Sequence, residues 1–598
     1  MFISHYFVRP IMFLALLLVL FPFLAPFQQK ARAADLLDTA FTRAADEFQV
    51  PIPLLQAICY LEGHLSMNRG APSVDGGYGC MHIQHNARVD DLTRCARALG
   101  VSSRQIRQNM TMNLRAGAFL LQKAALLLSP THTLPTTLAG WYGAVARYGH
   151  ASMKAMARLY ADAVFNLIKR GFQAVDDYGE SMIVSPLAIQ LNPIAWHTNL
   201  LMANPTLPPG CMDNGNVDYP DAINCILNPH IHDCLPLPDN SPLPCSYLSA
   251  RRPSDFAIRQ IVIHDIEGTA LGALSTFMAH QANVSTHYVV DSDGTVYQVT
   301  REKDIAFQAG NMWYNQHAIG IEHTGYDGTG FLWYNATQYL ASARLVAYLL
   351  NKYNLPLDHD HIVSHGTVPS PTLQDMPNHV DPGPYWLWDY YENLISQQGA
   401  MTRRTLYYQD QTITLHPHSG QFPLGRNGTE TPANFNFFYL YSGPNTAGPL
   451  IPGSGTEITD ERTNVESGIT YPYTNKRLDP AGSGKMLYRL WFGVESWSAH
   501  PRHFAHAQQV WLAVADQDVV ENMGTGRVVT LSSDDEKPVL VYGKPATGTS
   551  YCIGDAPVGS LFISAYKVVE DGTSKVWYEI NYNHRQAWVP AANVEMND

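Results

Sequence analysis

Two histidines and one carboxylate in the middle of this chain stand at the end of a short apolar run or just after one, and a second carboxylate follows in His379-Val380-Asp381-Pro382-Gly383. They are His264, Glu322, His365 and Asp381. Catalytic zinc typically takes three protein ligands from His, Asp and Glu and keeps a fourth position open. A bound metal lowers the pKa of a water and polarises the bond under attack. These residue types therefore predict a hydrolytic zinc site.

The stretches around these residues alternate between strand-like and helix-like patterns. The predicted elements are a strand at 258–264, a helix at 271–281, a hairpin at 286–299 with an Asp-Gly turn, a strand at 318–322, an amphipathic helix at 337–353 and a strand at 362–363. This order predicts an α/β domain with a mixed sheet, helices on its faces and polar groups at its strand ends.

Five ordered motifs make this region similar to the zinc-dependent N-acetylmuramoyl-L-alanine amidases, the class shared with peptidoglycan-recognition proteins. The motifs are Ile263-His264-Asp265, Thr286-His287-Tyr288-Val289-Val290-Asp291-x-Asp293-Gly294, Ile319-Gly320-Ile321-Glu322, Val363-Ser364-His365 and Asp381-Pro382-Gly383-Pro384-Tyr385-Trp386. The resemblance covers roughly residues 255–392, so we assign residues 255–400 to an amidase domain. It implies that His264, His365 and Asp381 bind Zn²⁺, and that a zinc-activated water cleaves the amide between N-acetylmuramic acid and L-alanine.

Two further residues are candidates for the chemistry itself. Glu322 is expected to orient or deprotonate the water. His379 stands where the family often has a lysine, a position that helps to stabilise the developing oxyanion. The recognition-protein branch has a catalytic tyrosine at the position of Thr286, so this chain departs from that branch.

The remaining polar residues of the motifs are expected to serve structural roles. Asp265 is predicted to support the ligands rather than to bind metal. His287 and His361 are predicted to be structural, because three ligands already complete a catalytic site. His323 should point to the opposite face of its strand from Glu322.

The whole chain has 598 residues and a formal net charge of −13. Its length predicts about three to five domains. The negative charge argues against nucleic acid as a partner. We expect a monomer that has no stable membrane partner beyond its targeting segment.

The first 33 residues predict a secretory signal peptide. An apolar run from Ile11 to about Phe27 is followed by the small-residue pattern Ala31-Arg32-Ala33, which is typical of a cleavage site. An uncleaved membrane anchor is the alternative. The signal predicts a secreted protein that acts outside the cell or at the cell wall.

Residues 34–180 show helical periodicity, and Glu62 ends an apolar helix just before a glycine. Poor solvation raises a glutamate pKa, as a general acid requires. The order of Glu62, the turn Gly77-Tyr78-Gly79-Cys80-Met81-His82-Ile83 and two later helices is similar to that in lytic transglycosylases. The resemblance implies a lysozyme-like domain in which Glu62 cleaves glycan strands, with Tyr148 near it. His82, Gly149 and Gly63 depart from the family pattern, and a domain that only binds glycan is the alternative.

Residues 181–254 are rich in Pro and Asn and predict a linker that carries Cys211, Cys225, Cys234 and Cys245. In an exported chain these four predict two disulfides of undetermined pairing, with a zinc knuckle as the alternative. One pair among Cys59, Cys80 and Cys95 is also expected to be bridged. Cys552 is expected to be unpaired.

Short strands and turns follow from residue 401. Residues 531–598 resemble bacterial SH3-like cell-wall modules, with Tyr542-Gly543-Lys544-Pro545 at the start and Ala587-Trp588-Val589-Pro590 at the end. Residues 401–530 are β-rich and look like a weaker copy. Aromatic residues on such small barrels can bind wall polymers, whereas the alternative for Trp577 and Trp588 is that both are core residues.

Together these patterns predict a multidomain peptidoglycan hydrolase. It has an all-α lysozyme-like domain, an α/β amidase domain and all-β SH3-like barrels. The alternatives are an enzyme that also or only cleaves glycan through Glu62, and a non-catalytic peptidoglycan-binding protein.

Overall fold

A computed structural model of the chain describes residues 25–191, 206–234, 245–279, 282–327, 333–373, 379–401, 405–416, 437–453, 463–495 and 503–597. Residues 1–24, which include most of the predicted signal peptide, lie outside the described residues. Within the described part, no helix combines the length and the apolar character that a membrane-spanning segment needs.

The N-terminal region is helical, as predicted. Its helices are α1 Ala25–Phe48, α2 Ile52–Gly63, α3 Asp91–Leu99, α4 Ser103–Gln108, α5 Met110–Leu128, α6 Tyr142–Tyr148 and α7 Lys154–Arg170. Helix α2 starts directly after Pro51 and has Pro53 in its first turn, where the missing N–H groups are not needed. A disulfide between Cys59 and Cys80 ties α2 to the glycine-rich turn. An antiparallel hairpin of β1 Phe172–Val175 and β2 Ser181–Val184 closes the region.

The central region is built on a six-stranded mixed sheet. Its elements are β3 Ile223–Asn224, α8 Pro229–His232, β4 Tyr247–Leu248, β5 Gln260–Asp265, α9 Ala270–Phe277, β6 Tyr288–Val290, β7 Val296–Gln298, β8 Ile305–Ala306, α10 Met312–His317, β9 Ala318–His323, α11 Ala336–Tyr353, β10 Ile362–Ser364 and α12 Trp388–Gln397. The strand order is β10-β5-β9-β6-β7-β3, and the pairs β10–β5, β5–β9 and β9–β6 are parallel. The mixed sheet predicted from the sequence is confirmed.

The predicted linker, 181–254, differs from the expectation of little structure. Its strand β3 pairs in parallel with β7 and forms the edge of the central sheet. Disulfides Cys211–Cys225 and Cys234–Cys245 cross-link this segment. Cys225 and Tyr247 pack in one apolar cluster with residues of α9 and β7. The short strands of this segment were not predicted because its sequence is rich in proline and asparagine. The apolar residues that order them belong to the amidase domain.

The helical and central regions share one continuous apolar core, which joins residues of α2, α5 and α7 to residues of α11 and α12. Polar contacts cross the same boundary, such as the bond from the Thr337 hydroxyl to the Gly149 carbonyl at 2.9 Å. The two regions are therefore packed against each other as parts of one body.

The C-terminal region is sheet-rich, as predicted. Its strands are β11 Leu406–Leu415, β12 Phe437–Tyr441, β13 Asn464–Glu466, β14 Thr470–Leu478, β15 Met486–Glu495, β16 Ala505–Val514, β17 Val519–Thr525, β18 Arg527–Leu531, β19 Val539–Tyr542, β20 Cys552–Ala556, β21 Leu561–Ser564, β22 Lys567–Val569, β23 Val576–Asn581, β24 Gln586–Pro590 and β25 Val594–Met596. Parallel pairing of β16 with β20 joins the two predicted modules into one large sheet.

The aromatic residues that could have marked a wall-binding surface on this region are buried. Trp577 and Trp588 are only 2% and 0% exposed. Both lie in an apolar cluster with Val262, Trp313 and Val363 of the amidase domain. These two tryptophans are core residues at a domain boundary, as the alternative expectation held.

Candidate metal centre

Three neighbouring parallel strands bring the predicted residues to one edge of the sheet. Glu322 on β9 is the register partner of His264 on β5. On the other side of β5, strand β10 pairs Ser364 with Ile263, so His365 follows immediately beside His264. The carboxyl ends of parallel strands meet at the same sheet edge, which is where ligands bind in open α/β sheets.

Asp381 completes a compact group with the two histidines. The Nδ1 atoms of His264 and His365 lie 3.0 Å apart, and each lies 3.0–3.1 Å from a carboxylate oxygen of Asp381. His264, His365 and Asp381 are close enough together to hold a metal ion, and all three are buried. Among the described His, Cys, Asp and Glu side chains, they form the one such group. Donors at 2.0–2.1 Å from a tetrahedral zinc would be roughly 3.3 Å apart. The donor set and its spacing therefore fit a zinc ion.

At Asp381 and His365 the electrostatics favour the protonation states that metal binding requires. At His264 burial lowers the pKa, but Glu322 and Asp381 outweigh it and raise that pKa, so a metal would have to displace a proton there. Burial works to raise the pKa of Asp381, but His365 and His264 outweigh it and hold that pKa far below its usual range. Burial lowers the pKa of His365 to about 4. A charged carboxylate and a neutral imidazole are the forms that bind metal.

Glu322 lies beside the ligands without joining them. Its Oε2 atom is buried and has no hydrogen-bond partner among the described residues. Burial raises the pKa of Glu322 to about 7, although the charge of His264 opposes the shift. A carboxylate with an unpartnered oxygen beside these candidate metal ligands is placed to exchange a proton with a bound molecule.

Gln308, which the sequence analysis missed, holds His264 from behind. Its Oε1 atom lies 2.5 Å from Nε2 of His264. This contact fixes the imidazole proton on Nε2 and leaves the Nδ1 lone pair free to face Asp381 and a metal. Gln308 stands in the loop between β8 and α10, where no sequence pattern distinguishes it from other polar loop residues.

His379 lies at the rim of the site. Its ring stacks on that of His365 with the centroids 4.9 Å apart, and its side chain is 75% exposed. Its Nδ1 atom is 3.7 Å from Asp381. This position leaves the ring open to a bound substrate.

The other polar residues of the motifs contact protein groups. Asp265 accepts a hydrogen bond from the Tyr334 hydroxyl at 2.7 Å. His323 contacts the His264 carbonyl and the Ser342 hydroxyl on the far side of the sheet. His287 contacts Arg252 at 2.6 Å and His361 contacts Asp358 at 2.7 Å. None of these residues joins the ligand group among the described residues.

Glu62 lies at the boundary between the helical and central regions, away from the ligand group. It is 2% exposed. Its carboxylate accepts a hydrogen bond from the backbone N–H of Ala336, at the start of α11, at 3.4 Å, and lies 3.7 Å from Nδ1 of His82. Burial raises the pKa of Glu62, as the sequence predicted for a helix-end glutamate. The amidase domain covers this carboxylate.

A family model and a curated relative match parts of this chain. The N-acetylmuramoyl-L-alanine amidase family model matches residues 254–384. N-acetylmuramoyl-L-alanine amidase A of Achromobacter lyticus is 32% identical over 157 residues, covering 23% of this chain and 84% of that protein.

Two solved structures are similar to part of this chain. A selenomethionine derivative of AmpD is 22% identical, with a TM-score of 0.21, covering 27% of this chain and 93% of that one. The hydrolase AmiA of Staphylococcus aureus is 21% identical, with a TM-score of 0.21, covering 26% of this chain and 77% of that one. On the sequence match to the Achromobacter enzyme, this chain belongs to the N-acetylmuramoyl-L-alanine amidase family.

Proposed function

We propose that this chain is a zinc-dependent peptidoglycan hydrolase that cleaves the amide between the lactyl group of N-acetylmuramic acid and L-alanine. Membership of the family gives the chain N-acetylmuramoyl-L-alanine amidase activity. The observation that carries the rest is the buried group of His264, His365 and Asp381 beside the unpartnered carboxylate of Glu322. Such a set suits hydrolysis of an unactivated amide.

Each residue has a distinct role in this proposal. His264, His365 and Asp381 would hold the zinc ion. When bound, zinc would polarise the scissile carbonyl and lower the pKa of the attacking water. Glu322 takes a proton from that water and passes it to the departing amine of L-alanine. His379, exposed at the rim, donates a hydrogen bond to the carbonyl oxygen as negative charge develops on it.

The proposal places the enzyme outside the cytoplasm, where peptidoglycan is found. The signal peptide predicted at residues 1–33 supports this location. So do the disulfides Cys59–Cys80, Cys211–Cys225 and Cys234–Cys245, because such bonds persist in oxidising compartments.

Mass spectrometry of the products from purified cell walls tests this function. We expect free stem peptides, loss of their release with a chelator, and recovery when zinc is added. His365→Ala should abolish release. His361→Ala is the matched control, because His361 lies before the same strand and contacts Asp358 rather than the ligands. Undiminished release by His365→Ala would refute the proposal.

Glycan cleavage through Glu62 stays a separate prediction, and its buried position argues against it in this arrangement. A glycan strand could reach the carboxylate only if the start of α11 moved away from it. We propose that Glu62 instead stabilises the boundary, since a carboxylate is favoured at the N-terminal end of a helix. Product analysis should then show no 1,6-anhydromuramic ends from the wild type. Such ends, lost in Glu62→Gln, would show that the site opens.

A further inference from the structure

The two histidines of the metal centre are supported differently. Nε2 of His264 is held by Gln308. Nε2 of His365 is buried and has no hydrogen-bond partner among the described residues. The orientation of His365 therefore depends more strongly on the backbone that carries it, in the loop that leads from β10 towards Asp381.

That loop is held from behind by a buried arginine of the C-terminal region. Arg585, in the turn between β23 and β24, is 4% exposed. Its Nη1 atom donates to the carbonyls of Gly366 at 2.5 Å and Val368 at 2.9 Å. Its Nη2 atom donates to the carbonyl of His379 at 3.3 Å. One guanidinium thus connects the residue directly after the ligand His365 to the residue two before the ligand Asp381.

The neighbouring backbone strengthens this connection. The N–H of Gly366 donates to the carbonyl of Asp381 at 2.9 Å, and the N–H of Gln586 donates to the carbonyl of Thr367 at 2.9 Å. The planar guanidinium presents several donors in fixed directions, which suits the bracing of separate carbonyls.

A second buried charge holds the other side of the same loop. Glu466, on β13, is 1% exposed. It accepts hydrogen bonds from the hydroxyls of Ser364 at 3.2 Å and Thr367 at 3.3 Å. It also accepts a bond from the indole of Trp388 and lies 3.3 Å from Nε2 of His359. Ser364 is the residue directly before the ligand His365.

We infer that Arg585 and Glu466 are positioning residues of the metal centre, so that the C-terminal sheet region is a working part of the hydrolytic site. The inference rests on the proposed zinc-dependent function. Within the described part of the chain, neither residue contacts the side chain of His264, His365 or Asp381. Each acts through the backbone or the hydroxyls next to His365. A buried polar group that loses its hydrogen-bond partner costs free energy. Removal of Arg585 or Glu466 would leave the loop carbonyls or hydroxyls unpaired, and the loop should therefore become less ordered.

Full-length variants test this inference through zinc binding as well as activity. Arg585→Met removes the donors while keeping an extended side chain, and Glu466→Gln keeps the shape while weakening the acceptor. Asn581→Ala is the matched control. It removes a buried bond across the same boundary, to Asp360 at 3.3 Å, at the opposite end of β10 from the ligands.

Zinc affinity is measured by competition with a chromophoric chelator. Hydrogen exchange of peptides spanning residues 364–373 is measured on the metal-free protein. Arg585→Met should weaken zinc binding by about 10–100-fold, the range expected for groups that support metal ligands. It should also speed exchange in the loop and lower kcat with little change in KM. Arg585→Lys should restore part of the affinity, and Asn581→Ala should stay within about two-fold of the wild type.

The inference is overturned if Arg585→Met and Glu466→Gln both bind zinc like the control, or if the control loses as much affinity as they do. If Arg585→Met does not fold, Glu466→Gln carries the test. If the wild type neither binds zinc nor releases stem peptides, the proposed function fails, and loop exchange in the metal-free protein still tests the positioning role.

Discussion

Replacement of Gln308 by leucine tests whether Gln308 fixes the tautomer of His264 that the proposed metal binding requires. In the wild type, Nε2 of His264 lies 2.5 Å from the Gln308 amide oxygen, and the His264 side chain is 2% exposed. Leucine fills a similar volume but accepts no hydrogen bond. When zinc occupies Nδ1, the proton on Nε2 would be buried without a partner.

The size of the effect follows from that unpaired donor. Leaving a buried donor unsatisfied costs about 1–3 kcal/mol. At about 1.4 kcal/mol for each tenfold change, zinc affinity should fall roughly 5–150-fold. The metal-free protein should be affected less, because its ring can carry the proton on Nδ1, where Asp381 lies 3.1 Å away. The melting temperature without metal should therefore stay close to that of the wild type.

Chelator competition on Gln308→Leu measures its zinc affinity. Thermal unfolding of the metal-free variant measures whether the substitution also changes the stability of the fold. Gln308→Glu retains an acceptor at the same place and should bind zinc at least as tightly as the wild type. An affinity of Gln308→Leu within about two-fold of the wild type would show that another group fixes the tautomer. A large loss of metal-free stability would show that Gln308 supports the fold rather than the ligand.

Two further predictions concern the base and the domain boundary. Glu322→Gln should lower kcat by about 10²–10⁴-fold without changing zinc content; a kcat near that of the wild type would exclude Glu322 as the base. At the boundary, burial lowers the pKa of His82, but Asp75 and Glu62 outweigh it and raise that pKa from 6.5 to about 9. The stabilisation by the His82 charge is complete below pH 6.5 and disappears as the pH rises through 9. The melting temperature of the wild type should therefore fall more between pH 6.5 and 9 than that of His82→Gln. Equal falls would contradict a charged His82 at this boundary.

The sequence alone predicted the parts of the site that depend on local pattern. His264 and Glu322 lie near the ends of apolar strands and His365 directly follows one, and the register of parallel strands places such ends side by side. The pattern of apolar residues also predicted the long helix α11 to within one residue at its start. These features can be predicted from sequence because strands and helices each have a fixed period of apolar residues.

The supporting residues could not be predicted in this way. Gln308, Glu466 and Arg585 lie in a loop, on a short strand and in a turn, and no local period marks them. Their contacts join residues 44, 102 and 219 positions apart in the chain. The strand β3 was missed for the same reason, because its order comes from pairing with β7.

The contact between Arg585 and Gly366 has a consequence for the order of events during synthesis. The ligand loop is made 219 residues before the guanidinium that braces it, which at the usual pace of translation is a delay of roughly 10–40 seconds. During that interval the loop that carries His365 lacks this contact. A chain that ended before Arg585 should carry the three proposed ligands and bind zinc more weakly than the full chain. Full hydrolytic activity should therefore require that synthesis has passed Arg585.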